Sequence, residues 1–194
     1  MPETIIVEDP SKRHRNLGVA FFILGLFLVG AVFIFYLSDA QEKALESSGF
    51  TIPPATVDYA APQLSLTSLD GNPVSLDDYH GKVVLVNNWA TWCPPCKGEM
   101  PELQAYYETH AKDGFVVVAV ESGEPAKTVS DFVQLLGLTF PVWLDAKGAA
   151  LEAFQNWDLP SSYLIDRDGI VCMIWKSQIN QATLEKYVTP FLEK

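Results

Sequence analysis

The sequence predicts an α/β domain with a mixed central sheet, preceded by one transmembrane helix. Short strand-like runs alternate with segments of helical periodicity, which is the pattern of an α/β layer architecture. The run "FVVVAV" at 115–120 is apolar on both alternating faces, as expected for a strand that is covered on both sides. Residues 17–37 are 21 consecutive residues without a charge, enough for a helix to cross a hydrocarbon core of about 30 Å.

The orientation of the apolar run is predicted from the charges that flank it. Lys12, Arg13 and Arg15 precede it, whereas acidic residues dominate just after it. Residues 1–16 are therefore expected in the cytoplasm and the large C-terminal part outside it. A cleavable signal peptide is the alternative, because residues 38–40 offer a small-x-small pattern. Since the apolar part of a signal peptide normally spans only about 7 to 15 residues, a retained anchor is favoured.

The composition after the apolar run separates a linker from a domain. Residues 38–60 are polar and then proline-bearing, without sustained periodicity, which predicts a linker that holds the domain off the membrane. The folded domain is expected over residues 61–194. The net charge of the chain is −11, which argues against nucleic acid as a partner.

The first elements of the domain are predicted from a turn signal and two apolar patterns. An Asp-Gly pair at 70–71, inside an alternating apolar pattern, predicts a β-hairpin over 63–76. A short apolar run then predicts a strand over 82–88. The spacing of the next apolar residues predicts a helix over 95–107, which Pro101 is expected to kink.

The second half of the domain continues the alternation of strands and helices. After the strand at 115–120, Pro125 and Gly137 mark the start and the end of a helix. Shorter patterns predict the remaining elements, which are a strand over 140–144, a helix over 149–154, strands over 163–166 and 170–175 joined by an Asp-Gly turn, and a closing helix over 181–192.

A pair of cysteines, Cys93 and Cys96, lies in the stretch "WATWCPPCKGEM", directly after a predicted strand and at the start of a predicted helix. Disulfide exchange needs one sulfur that is accessible and ionised near neutral pH, because the thiolate is the attacking species. In the first turn of a helix, unsatisfied backbone N–H groups and the helix dipole lower the pKa of a cysteine. Cys93 is therefore predicted to attack, and Cys96, on the same face, to resolve the mixed disulfide.

Three other roles for the cysteine pair fit the sequence less well. A three-residue separation closes only a small loop, so a purely structural disulfide would add little stability. A zinc site usually needs four ligands, and only Cys172, His80 and His110 remain on the C-terminal side of the predicted span, without paired spacing. The peroxiredoxin pattern places a proline and a threonine where this chain has Val86 and Ala90. Redox exchange by the dithiol itself, with no metal or other cofactor, is the favoured prediction.

The stretch "GKVVLVNNWATWCPPCKGEMPEL" resembles the membrane-anchored thioredoxin-like proteins of bacteria, the group that includes the cytochrome c biogenesis thioredoxins. The resemblance covers nearly everything from residue 61 to the C-terminus. It implies a thioredoxin-like fold with an N-terminal β-hairpin and a central helix-strand insertion. It also implies that Cys93 attacks, that Cys96 resolves, and that Trp92 covers the motif and contacts substrate.

The resemblance implies roles for further residues. Glu99 matches a buried acid that would move protons to or from Cys96, although an ordinary solvated glutamate is the alternative. Pro160, in "WDLPSSYLID", matches a cis-proline opposite the cysteines, and the Leu159 backbone beside it would pair with bound substrate as an added strand. Glu121, at the end of the central apolar strand, is a candidate for a second acid near the site.

Two asparagines in the strand before the cysteines depart from related patterns. Asn87 stands where thioredoxin proper has a buried aspartate, as is usual in the anchored group. Asn88 stands where a phenylalanine is usual, and its contacts are not predicted. Cys172 lies in an apolar strand, which favours a buried, inert thiol.

The function predicted from these residues is that of a membrane-tethered, extracytoplasmic thiol-disulfide oxidoreductase. The resemblance suggests that it reduces protein disulfides, with apocytochrome c as one client, and that a membrane electron donor reduces it again. The alternatives left open are a redox-switched binding or sensor module and a thiol oxidase or isomerase.

Overall fold

The computed structural model describes residues 52–193, together with 25, 28–30 and 32–34, which are helical. The predicted cytoplasmic tail and most of the predicted span, residues 17–37, lie outside the described residues. Within the part of the chain that is described, no helix is long and apolar enough to cross a membrane. The chain divides into two compact units, residues 1–49 and 50–194, and the second carries the fold described below.

A mixed sheet of eight strands lies at the centre of the described domain. The strands are β1 (Ala55–Ala60), β2 (Ser65–Ser68), β3 (Pro73–Ser75), β4 (Val83–Trp89), β5 (Phe115–Glu121), β6 (Val142–Leu144), β7 (Ser161–Ile165) and β8 (Ile170–Trp175). Their order in the sheet is β1-β8-β7-β4-β5-β6-β2-β3. The β4, β5 and β6 strands run parallel to one another, and the remaining pairs are antiparallel.

Helices connect these strands. They are α1 (Pro94–His110), α2 (Ala126–Leu136), α3 (Ala149–Ala153), α4 (Gln181–Tyr187) and α5 (Thr189–Leu192), with short 3-10 turns at Leu76–Tyr79 and Ala111–Asp113. The fold is thioredoxin-like, and β2 and β3 form the expected hairpin. The α2 helix and β6 lie between β5 and β7 along the chain, where the helix-strand insertion was expected.

Both faces of the central strands are buried. On one face of β4, Val83, Leu85 and Trp89 belong to a core cluster that also contains Met100 and Leu103 of α1. On the other face, Val84 and Val86 of β4 pack in a second cluster with residues of α3, β7 and the hairpin. Because α1 follows β4 after a short loop and packs against it, the cysteine motif between them is held between two well-ordered elements.

The predicted boundary between linker and domain at residue 60 is wrong. Residues 55–60 form β1, which pairs with β8 in an antiparallel register from Ala55 opposite Ile174 to Ala60 opposite Ile170. The indole Nε1 of Trp175 donates to the carbonyl of Ile52 at 2.9 Å, so the domain begins near residue 52. An edge strand that is largely exposed has little apolar alternation, which explains why the sequence pattern resembled a linker.

The predicted closing helix over 181–192 is also corrected, because it is interrupted at Val188. Pro190 has no backbone N–H, and its ring would clash with the carbonyl four residues earlier in a continuous helix. The chain therefore forms α4 and starts a second short helix, α5, with Pro190 in its first turn. The other predicted strands and helices are present, with boundaries shifted by a few residues.

Candidate active site

The cysteine motif and Pro160 lie side by side at one edge of the sheet, where the central strand β4 ends and its neighbour β7 begins. The β4 strand ends at Trp89 and leads into the loop that carries Cys93, and the neighbouring β7 begins at Ser161. These strands are antiparallel, with Asn88 opposite Ser161. The end of β4 and the residue before β7 therefore lie side by side, and the Leu159–Pro160 peptide bond there is cis.

The two sulfurs lie at the start of α1. Cys93 is its N-cap residue, Cys96 is in its first turn, and they form a disulfide. Pro94 and Pro95 have no backbone N–H, so the Cys96 amide is the first N–H that α1 can offer, and it donates to Cys93 Sγ at 3.3 Å. This contact and the helix dipole favour negative charge on Cys93 Sγ once the disulfide is reduced.

Exposure distinguishes the two cysteines. Cys93 keeps 4% of its surface exposed, whereas Cys96 is fully buried. Cys93 is therefore the more exposed of the two residues in this form of the site. The assignment of Cys93 as the attacking residue and of Cys96 as the resolving residue stays a prediction.

Glu99 is fully buried one helical turn after Cys96, so it is not the solvated helix glutamate that was the alternative. Asn87 Nδ2 donates to its Oε1 at 2.8 Å, and the Ile179 amide donates to its Oε2 at 3.0 Å. Burial raises the pKa of Glu99 to about 8, although both hydrogen bonds act to lower it. The carboxyl group is therefore mostly protonated at about pH 7 and half-protonated near pH 8, so both of its protonation states are accessible in this range.

Asn87 joins Glu99 to β7. Its Nδ2 donates to Ser162 Oγ at 3.0 Å as well as to Glu99, and its Oδ1 is buried without a hydrogen-bond partner among the described residues. A carboxamide can present its N–H group to a carboxylate and, after a half-turn, its oxygen to a carboxylic acid. Asn87 can thus serve both protonation states of Glu99 without adding a second charge.

The contact of Asn88, which the sequence left open, is with β7. Its Nδ2 donates to Ser161 Oγ at 3.4 Å, directly after Pro160. Asn88 is fully buried, so this polar bond helps to fix the start of β7 beside the cysteine loop. The departure from phenylalanine is therefore accommodated by a cross-strand polar pair.

Two tryptophans at this edge of the sheet are exposed. Trp92, immediately before Cys93, is 65% exposed, and Trp157, three residues before Pro160, is 69% exposed. Leu159, directly before Pro160, is half-buried. The sequence analysis did not single out Trp157, although a tryptophan in the polar stretch "QNWDLP" close to the predicted cis-proline was an available signal.

A contact that the sequence analysis missed holds the loop before Cys93. Glu124 Oε2 accepts the backbone N–H of Thr91 at 2.7 Å, and Glu124 Oε1 accepts the Thr91 hydroxyl at 2.6 Å. Both bonds are short because the acceptor is a carboxylate. No local pattern could indicate this pair, since the two residues are 33 positions apart in sequence.

Cys172 lies away from this network, in β8. It is half-buried and not fully buried as expected, and its Sγ donates to the Leu164 carbonyl at 3.3 Å. It forms no disulfide with Cys93 or Cys96, which are bonded to each other. It therefore offers a natural control for experiments on the cysteine pair.

The fold and the cysteine pair define a class, the thiol-disulfide oxidoreductases with a thioredoxin-like fold. The chain belongs to the AhpC/TSA family, whose family model matches residues 57–174. It is 33% identical to the thiol-disulfide oxidoreductase ResA of Geobacillus kaustophilus, over 91% of this chain and 97% of that protein. It is 31% identical to ResA of Oceanobacillus iheyensis, over 93% and 92% of the two chains.

Solved structures agree with this assignment. A thiol:disulfide interchange protein of the thioredoxin family from Chlorobium tepidum is 28% identical, with a TM-score of 0.65 over 71% of this chain and 99% of that one. The resemblance to thioredoxin-like proteins and the enzyme class predicted from the sequence are both confirmed.

The raised pKa of Glu99 predicts that stability falls with pH. Between an ordinary value of 4.5 and about 8, the folded chain keeps a proton on Glu99 that the unfolded chain releases. The free energy of unfolding should therefore decrease as pH rises through this range, by up to about 1.4 kcal/mol per pH unit. We expect Glu99→Gln to reduce this slope, measured by urea unfolding of the full-length chain from pH 5 to 8.

Glu152→Gln is the matched control, because Glu152 is an exposed glutamate in α3 and should leave the wild-type slope unchanged. Glu121 adds a slope of its own, since burial raises its pKa to about 7, so Glu99→Gln keeps part of the dependence. Equal slopes in the wild type and in Glu99→Gln would contradict the assignment.

Proposed function

We propose that this protein is a membrane-tethered, extracytoplasmic oxidoreductase whose Cys93–Cys96 dithiol reduces disulfides in other proteins. The observation that carries the proposal is the position of Cys93. It alone of the pair is partly exposed, and its sulfur accepts the first backbone N–H of α1. That position stabilises a thiolate where a substrate can reach it.

The reaction balances as a two-step exchange. The Cys93 thiolate attacks one sulfur of the substrate disulfide, a mixed disulfide forms, and the other substrate sulfur leaves as a thiolate that takes up a proton. The Glu99 carboxylate then accepts the proton of the Cys96 thiol. The resulting Cys96 thiolate attacks Cys93 Sγ, the second substrate sulfur leaves, and two electrons have passed from the protein to its substrate. The bonded cysteine pair of the structure corresponds to the product of this step.

Substrate binding is assigned to the edge of the sheet beside the cysteines. The backbone at Leu159 directly precedes β7, where an extended substrate segment could pair as an added strand. The exposed rings of Trp92, directly before Cys93, and of Trp157, two residues before Leu159, provide apolar surface for such a segment. Tryptophan is enriched among the residues that dominate protein interfaces. These features suit an unfolded or extended polypeptide more than a small thiol.

The direction of exchange and the client rest on the resemblance to cytochrome c biogenesis thioredoxins. Reduction of a cysteine pair in apocytochrome c is the corresponding role, and a dithiol donor in the membrane would reduce Cys93–Cys96 for the next cycle. A thiol oxidase or isomerase would use the same residues in the opposite direction.

An insulin-reduction assay tests the exchange activity. The full-length chain should accelerate the reduction of insulin by dithiothreitol, because its thiolate is more reactive near neutral pH than an ordinary thiol. Cys93→Ala should reduce the rate to that of dithiothreitol alone. Cys172→Ala is the matched control and should retain the wild-type rate, since Cys172 lies outside the site. No acceleration by the wild type, or acceleration that survives Cys93→Ala, would favour a redox-switched binding or sensor module instead.

The membrane tether and the extracytoplasmic location are supported by the uncharged run at 17–37 and by the basic residues before it. A chain with Cys96→Ala and Cys172→Ala retains Cys93 as its only cysteine. In intact cells we expect a membrane-impermeant maleimide to label this chain, and the triple variant that also carries Cys93→Ala to remain unlabelled. Labelling of Cys93 only after cell lysis would contradict the proposed orientation.

A further inference from the structure

We propose that Glu121 is a positioning residue for the cysteine loop and that it acts through Glu124. The loop is held tightly by Glu124 when Glu121 is protonated and loosely when Glu121 is ionised. The part that this plays in disulfide exchange rests on the proposed function. The contact itself does not, and it can be tested without any substrate.

The first link runs from the cysteine loop to Glu124. The carboxylate of Glu124 accepts both the backbone N–H and the hydroxyl of Thr91, at 2.7 and 2.6 Å. Thr91 is two residues before Cys93. The orientation of the Glu124 side chain therefore determines how tightly the loop that carries the attacking sulfur is held.

The second link runs from Glu124 to Glu121. Both carboxylate oxygens of Glu121 accept the Glu124 backbone N–H, at 3.2 and 3.1 Å. Glu121 is fully buried at the end of β5, opposite Trp89 in the parallel register. The Ser122 amide donates to the Trp89 carbonyl at 3.0 Å, so β5 and the end of β4 are also bonded here. Glu121 thus anchors Glu124 to a rigid part of the sheet.

The charged groups around Glu121 are carboxylates. The carboxylates that act on it are those of Glu124, from the following loop, and Asp145, directly after β6. The Asp145 carboxylate is satisfied by the amides of Lys147, Ala149 and Ala150 and stays in place as a neighbouring negative charge. Burial raises the pKa of Glu121 most, and the backbone N–H of Glu124 lowers it. A side-chain hydrogen bond to Glu124 and the two neighbouring charges raise it further, so that the pKa lies at about 7.

As a consequence, the hydrogen bonds between Thr91 and Glu124 change in strength near neutral pH. Below about pH 7, a neutral Glu121 can share a hydrogen bond with the Glu124 carboxylate, which remains aimed at Thr91. Above it, the half-buried Glu124 carboxylate would lie beside a second negative carboxylate, and their repulsion moves Glu124 away from Thr91. Glu99 is a separate proton site, since its partners are Asn87 and Ile179 and not this loop.

Hydrogen exchange of the Thr91 amide tests the inference. In the oxidised full-length chain, we expect the protection of this amide, corrected for the intrinsic effect of pH, to fall about tenfold between pH 6 and 8. Glu121→Gln cannot ionise and should keep the protection constant over this range. Glu99→Gln is the matched control and should show the same fall as the wild type. Constant protection in the wild type, or the same fall in Glu121→Gln, would overturn the inference.

A second measurement needs no variant. The side-chain carboxyl of Glu121 and the amide of Thr91 can be followed by NMR in one pH titration of the wild-type chain. We expect both signals to shift with a common midpoint near pH 7. A Thr91 shift that follows no titration of Glu121 would overturn the inference even if Glu121→Gln failed to fold. Failure of the insulin assay would leave both readouts unaffected, so the two hypotheses can fail independently.

Discussion

The hydrogen bond from the Cys96 amide to Cys93 Sγ, 3.3 Å long, is the contact on which the proposed chemistry depends. Two prolines precede that amide and have no N–H of their own, so the first donor of α1 is directed at the sulfur. The contact can form because β4 is buried on both faces and α1 packs back against it. A buried strand that leads into a helix packed against it thus places a charge-stabilising group beside the Cys93 sulfur.

Two buried glutamates lie near the cysteines, and their surroundings differ. Glu99 is bonded by two N–H donors, which favour its charged form, while burial opposes it. Glu121 accepts one backbone N–H, which favours its charged form, but it is also close to two other carboxylates, whose repulsion acts in the same direction as burial. Each has a pKa near neutral pH, Glu99 beside the resolving cysteine and Glu121 behind the loop of the attacking one. Proton transfer and loop position can therefore be controlled by separate residues.

The sequence predicted the parts of the fold that have a local signature. The strand over 115–120 and the turn at 70–71 carried clear patterns, and the position of Cys93 at the start of a helix followed from the strand-to-helix transition. β1 was missed because it is an exposed edge strand, and Pro190 was overlooked as a helix breaker. The burial of Glu99 could not be derived from helical spacing and came from the family resemblance. The Thr91–Glu124 contact is formed only by the tertiary fold, so no local pattern contains it.

The ionisation of Cys93 is the most direct test of the account. The alkylation rate of Cys93 by iodoacetamide can be measured against pH in the reduced full-length chain carrying Cys172→Ala, with the modified residue identified by mass spectrometry. If the start of α1 stabilises the Cys93 thiolate, half-maximal reactivity lies about one pH unit or more below the ordinary cysteine value of about 8.5. Half-maximal reactivity at or above pH 8.5 would show that the helix does not stabilise the thiolate and would contradict the account.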